Sequence, residues 1–544
     1  MNTACPRCGF ESDSILLSDI KAPPEAIIAL SKTNDPPSPA AAQLCRTNIS
    51  NVDTQILKLD EAIAQHHEAL RLLQQERLRL LTLSQPYRQV VHPARRLPLE
   101  VLGEIFLACM DKPRIIREHI TYREPCDYDS LDGRKPWWCL AQVSRHWRTV
   151  AMSRPRIWSY VAVDFPDLKS FDPEQFTARL IVQLQRSRSE PLTVAMRSAH
   201  KGSRDSHLPV ITALCAHSSR WESLRVDFGY NALPMLRSMS RLVQGNVPAL
   251  SRLHIDLSKS TLSASSSALD AFSVAPQLVH VTLLGPITPA TDDLLRLPWS
   301  QITRYRCDTL KTHLDTSHNS EILARMHSLT ALQCHLYFAG EPNGPANIHM
   351  PSLELLSLYP FKETASNLSP LLDRLSVPAL LDLRIVACPD IDSLPRFIQR
   401  SGTTLRSLSL YVNGLDIATI NQVFEHIPKL HSLSLRGASY EVIRSLSEND
   451  SESRTPQLLP KLHAIRLCGP WTSDRVQEAL LVEMVETRVP ALDSTPSSAS
   501  HLRVIDLDPE IDFGEDTIEA LNGYRSRGLQ VHRSPVNQFF QIDP

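Results

Sequence analysis

The chain has 544 residues, and its 57 lysines and arginines nearly balance its 59 aspartates and glutamates, for a formal net charge of −2. This balance gives no electrostatic reason to expect a nucleic-acid or polybasic membrane-surface partner, and we predict neither. Only 16 glycines stand against 40 prolines, and the sequence lacks a GxG phosphate loop, a GxSxG elbow and an HExxH motif. We therefore predict a non-catalytic protein without a cofactor.

Residues 1–43 have the composition of a tail and a linker. The segment 31–43, SKTNDPPSPAAAQ, is rich in proline and serine, which disfavour helix and leave little to bury. We predict that 1–43 is disordered. No secretory leader precedes it and no apolar run approaches about 18 residues, so we expect no membrane insertion and a cytoplasmic or nuclear location.

Cys5 and Cys8 in this tail have the spacing of half a structural zinc site. Such a site needs two further thiolate or imidazole ligands, and the nearest candidate, Cys45, lies beyond the proline-rich linker. The pair is therefore a weak metal candidate, and a metal-free tail is the favoured interpretation.

Residues 44–86 predict one long amphipathic helix that ends at Pro86. A heptad pattern steps by alternating three and four residues and is polar at two positions: Ile49, Val52, Ile56, Leu59, Ile63, His66, Leu70, Leu73, Arg77 and Leu80. One interpretation is a coiled coil that forms a homodimer. The other is a helix that packs against its own protein, since two polar seam residues weaken a dimer.

Residues 92–160 contain the most specific local pattern. The segment LPLEVLGEIF at 97–106 begins with a proline suited to a first helical turn, and VSRHWR at 143–148 and PRIW at 155–158 follow it. These motifs, in this order, resemble the F-box, the small helical module of ubiquitin-ligase substrate receptors. The sequences of these motifs are most similar to those of the F-box families of mushroom-forming fungi, which often carry a heptad helix upstream.

The insertion at 111–135 separates the first helix from the tryptophan segment by more than the compact family module does. We predict a surface loop there, because a longer loop adds little closure entropy. The F-box resemblance implies binding to a Skp-type adaptor and, through it, to a cullin complex. The adaptor contacts that it implies are apolar: Leu97, Pro98, Leu99, Ile105, Leu140, Val143 and Trp147.

From residue 221 onward, apolar residues recur at positions i, i+3 and i+5. Eight of the ten intervals between these units span 24–29 residues, the range of leucine-rich repeats. The units begin at Trp221, Leu250, Leu278, Ile302, Leu329, Leu353, Leu380, Leu405, Leu430, Leu462 and Leu502. A single unit cannot bury its apolar face, so neighbours must stack. We predict a degenerate leucine-rich-repeat-like α/β solenoid over 221–544, capped by an atypical first unit at 161–220.

Within the solenoid, Ile417–Glu425 predicts a helical return segment, and a shorter one starts at Pro395. The two wide intervals contain polar insertions, 447–457 and 493–500, which predict loops. The side chains between the core positions of each strand face away from the core. On this face we expect a protein substrate to contact basic residues: Arg252, His254, His280, Arg384, Arg406, His431 and His463.

The predicted architecture is α/β, with an N-terminal amphipathic helix, a small helical F-box and a repeat solenoid. It indicates a substrate-recruiting adaptor subunit of an SCF-type ubiquitin ligase, with a Skp-type adaptor at one end and a protein substrate at the other. The alternative is a non-ligase coiled-coil and repeat scaffold, or a recognition protein, that dimerises through the heptad helix.

Overall fold

The computed structural model describes residues 22–109, 130–165, 173–198, 207–229, 232–243, 245–258, 269–285, 295–308, 322–336, 347–360, 368–386, 392–411, 416–436, 440–449, 456–468, 475–489, 502–509 and 513–533. The chain divides into two compact units, Met1–Pro98 and Leu99–Pro544.

The first unit contains a short helix, α1 (Glu25–Leu30), and a 52-residue helix, α2 (Pro39–Val90). The predicted disordered segment therefore contains a helix, and its linker ends earlier than expected. The side chain of Ser38 accepts a hydrogen bond from the backbone N–H of Ala41 at 3.2 Å, with proline at the first helical position. This serine–proline pair is a helix-start signal, which the composition of the linker had obscured.

The end of α2 also differs from the prediction, because the helix continues through Pro86 to Val90. A proline lacks the backbone N–H that donates to the preceding turn, and its ring crowds that turn. Pro86 lies only four residues before the end of α2, so this disruption affects the end of the helix and not its middle. The helix ends just ahead of Pro93, where His92 has an extended ψ of 132°. A residue before proline is disfavoured in the helical region.

The second unit begins with three short helices, α3 (Leu99–Ala108), α4 (Pro136–Val143) and α5 (Arg145–Ser153), and a 3-10 turn at Pro155–Trp158. The predicted loop 111–135 falls largely outside the described residues. Its last residues correct the prediction, because Ser130 and Leu131 are each only 1% exposed. They belong to the core because Ser130 pairs with Ala162 through the backbone, at 2.8 Å.

The rest of the described second unit is built on one long parallel sheet. Fourteen strands follow one another in chain order, and two shorter strands, β8 and β10, pair with each other separately. The strands are β1 (Tyr160–Phe165), β2 (Leu192–Ser198), β3 (Trp221–Asp227), β4 (Arg252–Asp256), β5 (His280–Leu284), β6 (Arg304–Asp308), β7 (Ala331–Leu336), β8 (Ile348–His349), β9 (Leu355–Pro360), β10 (Leu375–Ser376), β11 (Asp382–Val386), β12 (Ser407–Tyr411), β13 (Ser432–Arg436), β14 (Ala464–Cys468), β15 (Val504–Leu507) and β16 (Gln530–Arg533).

The i+3 and i+5 residues of every predicted unit lie in one of these strands, so the parallel α/β array is confirmed. The register stacks the i+3 residue of every unit on that of the next, as Leu383 on Leu408 and Leu408 on Leu433. The i+5 residues form a second row in the same way, and both rows are buried. Two periodic rows of apolar side chains thus form a continuous core.

The segments that connect the strands contain further helices, α6 (Pro173–Arg186), α7 (Leu208–Cys215), α8 (Ala232–Val243), α9 (Ser369–Leu372), α10 (Leu394–Ser401), α11 (Ile417–Glu425), α12 (Tyr440–Ser447), α13 (Arg475–Arg488) and α14 (Glu515–Gly523). The predicted return at Ile417–Glu425 is α11, and the shorter return at Pro395 is part of α10. Their apolar faces are buried in the core, as at Phe397 and Phe424. The polar insertion at 447–457 starts in α12 and closes with a bridge between Asn449 and Pro456, whereas 493–500 lies outside the described residues.

The sheet begins before the predicted solenoid and contains one strand beyond its last predicted unit. The predicted capping segment supplies β1 and β2, which join the same sheet, so no sheet boundary falls at residue 220. At the other end, β16 adds a strand after the last predicted unit. Its apolar signal is short, Leu529 and Val531 only, which explains why the repeat pattern missed it.

Candidate interaction surfaces

The helical module at the start of the second unit has a small aromatic core. Leu102 and Phe106 of α3 are buried, and the ring of Phe106 lies 5.1 Å from the ring of Trp147 on α5. Ser144 caps α5 by accepting a hydrogen bond from the backbone N–H of Trp147 at 3.1 Å. Trp147, predicted to contact a partner, is therefore half-buried and holds α3 and α5 together.

Other predicted contact residues of the module are exposed. Leu99 is 46% exposed, Ile105 40% and Val143 60%, while Leu140 is half-buried. Two residues that were not predicted as contacts, Val101 and Met152, are also exposed and apolar. Val101 lies one turn before Ile105 on the same stripe of α3, a spacing that was readable from the sequence. Leu97, half-buried, and Pro98, exposed, belong to the first unit.

One buried serine connects the helical module to the sheet. The indole N–H groups of Trp137 and Trp138 both donate to the carbonyl oxygen of Ser130, at 2.8 and 2.9 Å. The Ser130 hydroxyl accepts from the backbone N–H of Ala162 on β1 at 3.0 Å. It also donates to the side chain of Gln183 on α6, at 3.2 Å. Helix α4, strand β1 and helix α6 therefore share one hydrogen-bond network.

A cation strengthens the same junction. The guanidinium of Arg186 lies 4.9 Å from the ring centre of Trp138 and 4.4 Å from that of Trp158. Such cation–π contacts are each worth about 0.5–2 kcal/mol, depending on solvent exposure. These contacts join α4, the 3-10 turn and α6, and so link the module to the first helix of the repeat array.

On the face of the sheet opposite the core, four arginines form what we call the arginine cluster: Arg225 on β3, Arg252 on β4, and Arg304 and Arg306 on β6. His254 and His280 lie between them. The register pairs Arg225 with His254, and it places His280 directly between Arg252 and Arg304. Because neighbouring strands are about 4.8 Å apart, the cluster spans about 14 Å of sheet.

The arginines of this cluster are accessible to a ligand, and three of the four have no ion pair within the described part of the chain. Arg252 is exposed, and the other three are half-buried. Arg225, Arg252 and Arg304 form no ion pair with any carboxylate of the described residues. Nε2 of His254 is buried, and no described residue hydrogen-bonds to it.

Both histidines of the cluster are held neutral. Burial, with the positive charges of Arg225 and Arg306, holds the pKa of His254 well below its usual range. Burial, with the charges of Arg304 and Arg252, lowers the pKa of His280 to about 4. The sequence singled out Arg252, His254 and His280 but not the other three arginines. Aligning the repeats reveals them, because Arg225 and Arg306 occupy the position of His254, and Arg304 occupies the position of Arg252 and His280.

The remaining predicted substrate-facing residues do not join this cluster. Arg384 pairs with Asp382 at 2.6 Å, which neutralises its charge. Arg406 and His431 are exposed at the points where the chain enters β12 and β13, and His431 stacks on His463 with ring centres 5.2 Å apart. Together with Arg503, which is also exposed, these residues lie in a row just before the strands of the C-terminal repeats.

Near the end of the sheet, the same face is closed rather than exposed. Arg466 and Asp506 form an ion pair at 3.2 Å and are 4% and 5% exposed. Tyr411 and Ser434 share a hydrogen bond of 2.7 Å beside them, and both are buried. Buried, mutually satisfied polar groups of this kind stabilise the array and offer no contact surface.

The structure adds nothing to the metal prediction, because Cys5 and Cys8 lie outside the described residues. Within the described ranges, no group of three or more His, Cys, Asp or Glu side chains has the arrangement to hold a metal ion. Nor does any described helix combine the length and apolar character needed to cross a membrane. No protein-family model matches the chain, and no curated protein matches it either.

Proposed function

We propose that this protein is the substrate-recruiting subunit of an SCF-type ubiquitin ligase. Its helical module would bind a Skp-type adaptor, and through it a cullin complex, while the repeat array would hold a protein substrate. No catalytic residue is required of the chain, because holding a substrate close to the transferring enzyme raises its effective concentration.

The exposed apolar side chains of the helical module are the observation that carries this proposal. Val101, Ile105, Val143 and Met152 are between 38% and 60% exposed, although the module has an aromatic core in which to bury apolar groups. Burying such a side chain completely is worth about 1.5–3 kcal/mol. Because these four are already about half-buried, covering the rest of them would supply a gross gain on the order of 3–6 kcal/mol, which offsets part of the cost of association.

The rigid junction supports the same proposal. A receptor of this type must hold its substrate at a fixed distance from its adaptor. The network around Ser130 and the contacts of Arg186 connect the module to the first repeat unit without a flexible hinge at that point. Both ends of the proposed receptor are thereby positioned by one scaffold.

Co-purification of the full chain with the host's Skp-type adaptor tests the proposal. We expect Val143→Asp to abolish adaptor binding, because it places a charge in the apolar contact. Val476→Asp is the matched control, since Val476 is 61% exposed on α13 of the repeat array. If the unaltered chain fails to bind the adaptor, the proposal is rejected.

Helix α2 favours a second function, a scaffold that dimerises. Its 52 residues include none that are buried, and the heptad residues Ile49, Leu73 and Leu80 are each more than half exposed. Sedimentation of the full chain distinguishes this function. A dimer that Ile56→Asp with Leu73→Asp dissociates, together with absence of adaptor binding, would favour the scaffold.

A further inference from the structure

We infer that the arginine cluster on β3–β6 binds a phosphorylated segment of a protein partner. The inference rests on the proposed function in one respect, that the partner is a substrate held by the repeat array. Otherwise it depends only on the geometry of the cluster, and it adds the chemical class of the ligand and its position on the sheet.

The spacing of the cluster suits a compact dianion. Arg252 and Arg304 lie on either side of His280, each one strand away, and so they can approach a single group from two sides. A guanidinium forms two parallel hydrogen bonds to phosphate oxygens, a geometry that lysine does not offer. All four cations of the cluster are arginines, which favours phosphate recognition over general attraction of acidic residues.

The histidines complete the polar surroundings of the expected ligand. The neutral ring of His280 can donate one N–H between the two arginines without adding a charge that would repel them. Nε2 of His254 is buried without a hydrogen-bond partner among the described residues. An unsatisfied buried polar atom in a native fold calls for a partner, and a bound ligand provides one.

A nucleic acid fits the cluster less well than a peptide does. Asp227 and Asp256 follow Arg225 and His254 by two residues on the same face, and they place negative charge along one side of the cluster. A continuous polyphosphate backbone would meet this repulsion, whereas a peptide with a single phosphoryl group would not. The cluster also spans only about 14 Å, a few nucleotides at most.

Two arginines further along this face are already neutralised. Arg384 is paired with Asp382, and Arg466 is paired with Asp506. The β3–β6 region instead brings three arginines without such pairing, Arg225, Arg252 and Arg304, together within four adjacent strands, and we expect the anion to bind there.

The test is retention of the full chain on immobilised degenerate peptides that contain a central phosphoserine or phosphothreonine. Parallel arms carry the unphosphorylated peptides, peptides with a run of Asp and Glu, and single-stranded RNA. The variant is Arg252→Gln with Arg304→Gln. The matched control is Arg396→Gln with Arg444→Gln, which removes two exposed arginines from helices α10 and α12. Thermal unfolding of each variant verifies that it is folded.

We expect preferential retention on the phosphopeptides, a loss of at least about tenfold in affinity for the cluster variant, and no change for the control. The inference is overturned if phosphopeptides are not retained, if unphosphorylated, acidic or RNA arms bind as well, or if the two variants behave alike. Adaptor binding by the cluster variant is measured separately and should be unchanged. A failure of the phosphate site is thereby distinguished from a failure of the proposed function.

Discussion

The hydroxyl group of Ser130 donates a hydrogen bond to the side-chain oxygen of Gln183, and the two residues stand 53 positions apart in the sequence. Gln183 in turn donates to the backbone oxygen of Tyr160 at 2.6 Å. This one side chain of α6 therefore bonds both to strand β1 and to the end of the insertion. Both side chains are buried. This contact is where the helical module becomes continuous with the repeat array.

Gln183→Leu should therefore lower the free energy of unfolding by about 2–3 kcal/mol, because the buried Ser130 hydroxyl loses its acceptor and the Tyr160 carbonyl loses this donor. Urea unfolding followed by tryptophan fluorescence measures the effect, since Trp137, Trp138 and Trp158 surround the junction. Gln185→Leu, two residues further along α6 and exposed, is the control and should change stability little. Equal effects of the two substitutions would contradict the role of the network.

Arg488 at the end of α13 supports the insertion that precedes β14. Its guanidinium donates to the carbonyl oxygens of Leu446, Leu458 and Leu459, at 2.9, 2.7 and 3.0 Å. Leu459 has a positive φ of 51°, which an L-residue rarely adopts. Burial lowers the pKa of Arg488 to about 10, so the side chain remains charged at neutral pH.

Arg488→Met should lower the free energy of unfolding by about 2–4 kcal/mol, because three buried carbonyl groups lose their donor. Chemical unfolding measures this loss. Arg444→Met on α12 removes an exposed arginine instead and serves as the control. An Arg488 variant as stable as its control would show that water replaces the guanidinium without cost.

The histidines of the arginine cluster should make the fold sensitive to acid. The pKa of His280 falls from 6.5 to about 4 on folding, so below about pH 6.5 the unfolded chain binds more protons than the folded chain. Stability is fully present above pH 6.5 and is lost as the pH falls towards 4. His254, whose pKa is also lowered, acts in the same direction.

His254→Gln with His280→Gln should therefore reduce the loss of unfolding free energy between about pH 7 and about pH 4.5. The measurement is urea unfolding of the variant and the unaltered chain at both pH values. His327→Gln is the control, because His327 is an exposed histidine of the repeat array outside the cluster. An unchanged pH dependence in the double variant would mean that the two histidines are not buried against the arginines.

Thiol labelling tests the repeat core. Cys307 and Cys334 occupy paired positions on β6 and β7, with sulfur atoms 3.0 Å apart, and both are buried. Burial raises the pKa of Cys215 to about 12, so it too should resist thiolate chemistry. We expect Cys109 and Cys139, which are exposed, to react rapidly in the folded chain. Equally rapid reaction of Cys307 and Cys334 would contradict the core described for these strands.

Periodicity explains why the sheet was predictable. Each unit repeats its apolar residues at i+3 and i+5, and this local pattern is enough to position a strand without knowledge of its neighbours. The arginine cluster was only partly predictable because its residues come from four separate units, on β3, β4, β5 and β6, and meet only through the register. Trp147 shows a different limit, since an aromatic residue on an amphipathic helix looks the same in sequence whether it contacts a partner or its own core.

The insertion before α4 could not have been predicted as part of the core. Ser130 and Leu131 follow a long polar segment, and nothing local distinguishes them from surface residues. Their burial depends on α6 and β1, which supply Gln183 and Ala162 from later in the chain. The start of α2 could have been predicted, because Ser38 and Pro39 form a local helix-start signal. The prolines and alanines around them made that signal easy to overlook.

The most direct test of the proposed receptor is the affinity of the full chain for the host's Skp-type adaptor, measured by calorimetry. The account predicts a complex that Ile105→Asp and Val143→Asp each weaken by at least about thirtyfold, the cost of about 2 kcal/mol per disrupted anchor. Val274→Asp and Val476→Asp, at exposed valines of the repeat array, should leave the affinity unchanged. No binding by the unaltered chain, or equal binding by all four variants, would contradict the account.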